Sequence, residues 1–282
     1  MMALVVGMGF TSCSDDEDAI VTIGVTSTTP EEVKVGDLIT IKYNVVSDKK
    51  LKSITIKTSD DTIDEISDFT NSSSHNGTFK HKAVKEGELR ILIEAKDRDG
   101  NGDIKEVKIN VESLVNIYSA VLLGNDKSTT GSFYSTSTDE VFTVSEAITN
   151  SELVDFVFFY GSKFSASIAA PSDDAAAEFN VYKLDAVDEN GAPLWTTKNA
   201  TKLQQITSLT EETFDAISNT DEALIDATEN SEDWITRAGG LTEGNIVAFV
   251  TAKGKKGLFK VTNVEGAYGQ ESKITLEVKV QK

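Results

Sequence analysis

The chain has 282 residues, 39% of them hydrophobic and 26% charged. That is enough apolar material for ordinary cores, it fits a prior of two domains, and it excludes global disorder. The formal net charge of −19 repels nucleic-acid phosphates and anionic membrane surfaces, so neither is expected as a partner. A single cysteine, Cys13, rules out a disulfide framework.

Residues 1–10 are apolar apart from glycine and, at about ten residues, fall short of the roughly 20 that span a bilayer as a helix. They read as the h-region of a secretory signal. Small residues, Thr11 and Ser12, precede Cys13. A lone thiol in a secreted chain has no disulfide partner, and lipidation after cleavage in front of Cys13 accounts for it. No Lys or Arg precedes the apolar run, so a basic n-region is expected upstream of Met1. The segment resembles a bacterial lipoprotein signal, with Phe10 standing where the usual pattern has Leu. Ser14, Asp15, Asp16, Glu17 and Asp18 follow at once. On composition they form a solvated acidic linker. In position and composition they also resemble the export signal of surface-exposed Bacteroidota lipoproteins. That resemblance implies an outer-membrane protein, lipid-anchored at Cys13 and facing the cell exterior. One acyl chain holds only marginally, at about 0.8 kcal/mol per buried methylene, and the resemblance implies several chains on Cys13. Residues 1–19 are therefore assigned as signal and tether.

Residues 20–112 are expected to form an immunoglobulin-like β-sandwich. Seven short β segments, at 20–25, 33–37, 38–46, 51–57, 77–84, 88–95 and 104–111, are separated by polar turns. Period-two alternation with one polar face fits antiparallel sheets. Thr29-Pro30 interrupts the first segment, because Pro cannot donate to a ladder. Asp97-Arg98-Asp99-Gly100-Asn101-Gly102-Asp103 resembles the last hairpin turn of bacterial Ig-like domains. A Ca²⁺ loop is the competing reading, but Lys108 stands where such a loop needs a bidentate Glu. His75 is expected in a loop and His81 on an exposed or half-exposed face, flanked by Lys80 and Lys82. With no third ligand nearby they make no metal site. This domain reads as a spacer.

Residues 113–282 are expected to form an α+β domain with a largely antiparallel sheet and short helices. Strands are predicted at 116–124, 245–251, 258–264 and 273–280. Residues 154–161 are nearly continuously apolar, which reads as a central strand buried on both faces. Asp155 within it must be hydrogen-bonded or lie at the strand's start. Ser145 is the expected cap of a short helix at 144–148, and Ser172 or Asp173 of another within 169–178. From 203 to 236 there is no Lys or Arg. Helical spacing and the capping-box form Ser208-Leu209-Thr210-Glu211 predict two or three amphipathic helices there, stopped by Gly239-Gly240. The segments 122–124 with 131–133, 154–161, 169–173 and 256–280 together resemble C-terminal modules of Bacteroidota surface lipoproteins that carry no assigned activity.

No HExxH, GxSxG or P-loop occurs, and the second domain contains no His, so nucleophilic triad chemistry is not expected. No catalytic residue, metal ligand or cofactor is assigned. The layout is similar to accessory lipoproteins of polysaccharide-utilisation systems, which implies a polysaccharide or other extracellular ligand. Trp195, Tyr134, Tyr268 and Trp234 are the aromatics expected to stack on sugar. A structural or adhesive protein with a protein ligand is the first alternative. A glycoside hydrolase, which would need two placed carboxylates, is the second.

Overall fold

The computed structural model describes residues 20–59, 63–70, 72–173, 182, 184–229 and 233–282. Cys13, the acidic run 14–18 and most of the predicted helix within 169–178 lie outside them. The chain divides into two compact units after Val111, and both are β-rich.

The first unit holds β1 (Val21–Thr29), β2 (Val33–Lys34), β3 (Leu38–Ser47), β4 (Leu51–Thr58), β5 (Ile63–Ile66), β6 (Ser74–Lys82), β7 (Gly87–Asp97) and β8 (Gly102–Glu112). They form a three-stranded sheet, β1-β3-β6, and a five-stranded one, β2-β8-β7-β4-β5. The chain crosses from one sheet to the other at β1–β2, β2–β3, β3–β4, β5–β6 and β6–β7, and the two sheets share one core, which makes this unit a β-sandwich. Alternation decides which side chains meet between the sheets. In β3, Ile39, Ile41, Tyr43 and Val45 face inward, and in β7, Leu89, Ile91, Ile93 and Ala95 do.

The same alternation corrects both histidines. Lys80 and Lys82 point outward, so His81 between them points inward, is buried at 8% exposure and stacks on Phe79. His75 lies within β6 rather than in a loop, between the rings of Tyr43 and Phe69. Asp97 ends β7 fully buried. Its Oδ1 accepts from the backbone N–H of Asp99 and of Asn101, both at 2.9 Å, and its Oδ2 from Asn101 Nδ2 at 3.0 Å. Burial opposes ionisation, but these hydrogen bonds hold the carboxyl below its ordinary pKa. The segment is a hairpin turn, and its central carboxylate is already engaged by the chain.

The second unit holds β9 (Val115–Gly124), β10 (Phe133–Ser135), β11 (Glu140–Phe142), α1 (Val144–Thr149), β12 (Phe156–Gly161), β13 (Ser165–Ala169), β14 (Lys202–Ile206), α2 (Glu211–Ala216), α3 (Glu222–Glu229), β15 (Arg237–Gly239), β16 (Ile246–Val250), β17 (Lys256–Glu265) and β18 (Lys273–Gln281). The strands make two five-stranded sheets, β11-β10-β12-β13-β15 and β14-β16-β17-β18-β9, so this unit too is a sandwich. The shared core includes Phe156, Phe158, Phe249, Phe259, Leu276 and Val278.

Both sheets are also covered on their outer faces. On the first, Val157 and Phe159 pack with Phe133, Ala147 of α1, Tyr182 and Trp195. On the second, Ile246, Ala248 and Leu258 pack with Phe214 of α2 and Leu224 of α3. Two-sided burial is the physical reason that residues 156–159 lack a polar alternation. Asp155 sits just before β12, where its Oδ2 accepts from the Thr136 backbone N–H at 2.9 Å and from the Thr136 hydroxyl at 2.7 Å. Burial raises its pKa against those two bonds.

Three helix-boundary expectations need correction. Thr143, not Ser145, caps α1, with Glu146 completing the capping box. Thr210, not Ser208, caps α2 through Thr213 N–H. Gly239 ends strand β15, and α3 has finished at Glu229.

Candidate functional site

The outer face beneath α2 gathers two buried lysines. Lys279, in β18, is 2% exposed and donates to the carbonyls of Phe214 at 2.8 Å, Ile217 at 2.7 Å and Asp215 at 3.3 Å. It therefore supplies a donor to carbonyls at the helix end, of which Phe214 O also accepts from Ile217 N–H at 3.1 Å. Burial lowers its pKa, with Glu277 at 3.6 Å pulling the other way. Lys260 pairs with Asp215 and lies 3.7 Å from Glu277. Burial opposes its charge, but these carboxylates hold its pKa above the ordinary value. Both ammonium groups lie over the Phe214 ring. Every member of this cluster has a partner inside the protein, and the arrangement anchors α2.

An open groove lies elsewhere, where three turns of the second unit converge. Tyr160 and Ser165 come from the β12–β13 hairpin, Thr242 and Glu243 from the turn before β16, and Asn263 and Gly266 from the end of β17 and its turn. Its volume is about 400 Å³, within the roughly 300–1,000 Å³ of small-molecule sites. Backbone bonds fix its walls. Gly240 N–H donates to Phe164 O at 2.7 Å and Leu241 N–H to Ala166 O at 3.0 Å, tying the second turn to the first hairpin. Gly244 N–H donates to Val261 O and Val261 N–H to Asn245 O, both at 2.9 Å, tying it to β17. Gly266 has φ of 85°, and a Cβ there would meet Glu271 O at 2.2 Å, so only glycine fits this wall.

The groove is polar with one ring. Asn263 Nδ2 donates to Glu265 Oε1 at 2.8 Å, which orients the amide. Glu243 is exposed and forms no hydrogen bond or ion pair among the described residues. Tyr160 is half-buried, packed against the shared core on one side. The lining contains no Lys or Arg. Among the described residues no cluster of three or more His, Cys, Asp or Glu is arranged to hold a metal ion.

The aromatics expected to contact ligand are scattered. Tyr134 is fully buried, donates to Asp139 Oδ1 at 2.8 Å, and has its hydroxyl pKa pushed far above the phenol range by burial and by Asp139. Trp195 is 2% exposed, its ring 5.1 Å from that of Phe133. Neither can present a face to ligand. Trp234 is half-buried against the cluster beneath α2 and α3. Tyr268 is 64% exposed, in the β17–β18 turn two residues beyond Gly266 of the groove wall. Sequence reasoning missed Tyr160, Glu243 and Asn263. They come from three distant segments, and no spacing links them.

Fold and groove define a two-unit β-rich protein whose second unit carries an open polar site. No family model matches the chain, and no curated protein does. Among solved structures, the chain is similar to a DUF4466 family protein from Parabacteroides merdae, at 14% identity and a TM-score of 0.45, covering 94% of this chain and 98% of that one.

Proposed function

We propose that this chain is a lipid-anchored protein of the cell surface that captures an extracellular glycan as an accessory to nutrient uptake. The observation that carries the reading is the groove, which combines a tyrosine ring, a free carboxylate and an oriented amide. Small-ligand sites pair an apolar platform with a few placed polar groups in this way. Glu243 is the single carboxylate of the lining, and glycoside hydrolysis takes a pair flanking the bond. That supports capture rather than turnover. In this reading Cys13 supplies the anchor and the acidic run 14–18 directs the protein outward.

The adhesive reading gains support from the burial of Tyr134 and Trp195, which removes two of the four rings expected to face ligand. A glycan array of host and plant polysaccharides, probed with the full chain, separates the two. Binding to any polysaccharide favours capture, and a silent array refutes it. Cys13→Ala should release the protein from the membrane fraction and from protease-accessible display on cells. Retention of both would refute the anchor.

A further inference from the structure

We infer that the groove takes a saccharide that carries no anionic group, its hydroxyls shared between Glu243 and Asn263 and one sugar face laid on Tyr160. The inference rests on the glycan reading and deepens it by ligand class. Three observations exclude an anionic sugar. The lining offers no cation to pair with a carboxylate or sulfate. Of the basic side chains near the β12–β13 hairpin, Arg237 is paired with Asp173 at 2.8 Å and lies 4.1 Å from the Phe164 ring centroid, and Lys163 is exposed and outside the lining, 5.0 Å from the same centroid. Acidic groups meanwhile gather at the rim. Glu243 lies in the lining, Glu265 accepts from Asn263, and Glu211 Oε1 reaches the Gly244 turn, 3.0 Å from where a Cβ would stand. An anion brought into this field meets like charge without compensation.

Donor and acceptor supply fits sugar hydroxyls. A hydroxyl both donates and accepts. Asn263 uses one N–H on Glu265 and keeps its carbonyl and second N–H, so it offers both functions. Glu243 accepts from donors alone. Adjacent hydroxyls on one ring satisfy this pair. The half-exposed Tyr160 ring supplies the apolar surface that the C–H face of a sugar needs.

The test is isothermal titration of the full chain, purified in detergent, with neutral maltohexaose, xylohexaose and mannohexaose, anionic hexagalacturonate and a heparin hexasaccharide, and a fully deacetylated glucosamine hexamer. The expected result is binding of at least one neutral or amine-bearing probe and no heat from the anionic ones. Glu243→Ala, Asn263→Ala and Tyr160→Leu should each weaken that binding by about tenfold or more, with circular dichroism unchanged. The residues are at or near the surface, and Tyr160→Leu keeps the apolar contact with the core. Binding of an anionic probe in preference to the others would overturn the ligand class while leaving glycan capture standing. Binding that survives all three variants would overturn the groove as its site. Silence from every probe and from the array would overturn both readings.

Discussion

Replacing Lys279 by Met keeps the buried stem and removes only the ammonium. Lys279 Nζ reaches Phe214 O at 2.8 Å, Ile217 O at 2.7 Å and, less closely, Asp215 O at 3.3 Å at the end of the six-residue helix α2. Phe214 O keeps the Ile217 N–H at 3.1 Å, so the Met variant orphans Ile217 O at about 1–3 kcal/mol and weakens the satisfaction of the other two. Relief from desolvating the buried ammonium offsets part of that, leaving a net loss of about 1–3 kcal/mol. Urea unfolding followed by tryptophan fluorescence reads it cleanly, because Trp195 and Trp234 both lie in the second unit. With a urea m-value of ~2 kcal/mol/M the midpoint should fall by about 0.5–1.5 M. Lys260→Met is the control. Its partner Asp215 has a side chain 56% exposed, so the loss should be about 0–1 kcal/mol. A Lys279→Met midpoint equal to or above that of the parent protein would refute the view that this amine holds the end of α2.

Other expectations follow from the same packing. Asp155→Asn keeps an oxygen for both Thr136 bonds and removes a buried charge, so stability at pH 7 should hold or rise, whereas Asp155→Leu should cost about 1–3 kcal/mol. The folded pKa of Asp155 is raised, so the fold gains stability as pH falls through that value toward the model-compound 3.8. The advantage of Asn over Asp should therefore shrink between pH 7 and pH 4 in thermal melts, and an advantage that grows on acidification would contradict the assignment. Trp195→Ala should lose about 3–5 kcal/mol in urea titrations, while Tyr268→Ala should stay within ~0.5 kcal/mol. Gly257→Ala would put a Cβ 2.2 Å from Phe249 Cζ and 2.7 Å from Lys279 O. Calorimetry should show it destabilised by about 1–3 kcal/mol.

Long strands were legible because burial imposes a period that sequence displays. The alternation of β3 and β7 marks one inward face each, and the unbroken run at 156–159 marks a strand covered on both sides. The three-residue strands β10, β11 and β15 are too short to show a period, and without them the second sheet of that unit could not be seen. His81 was legible in principle, since two outward lysines place the residue between them inward. Trp195 was misread for a local reason. Gly191 and Pro193 mark a polar turn, but the ring two residues later folds under the sheet against Phe133. The groove left no trace in sequence because its walls are held by backbone hydrogen bonds among residues 160–166, 240–245 and 261–266, and such bonds carry no side-chain signature.

The most direct test of glycan capture is a backbone amide chemical-shift map of the labelled protein, titrated with the oligosaccharide that binds. Shifts should concentrate at Tyr160, Ser165, Thr242, Glu243, Asn263 and Gly266, extending to Tyr268. Shifts confined to the first unit, or to the α2–α3 face, would contradict it.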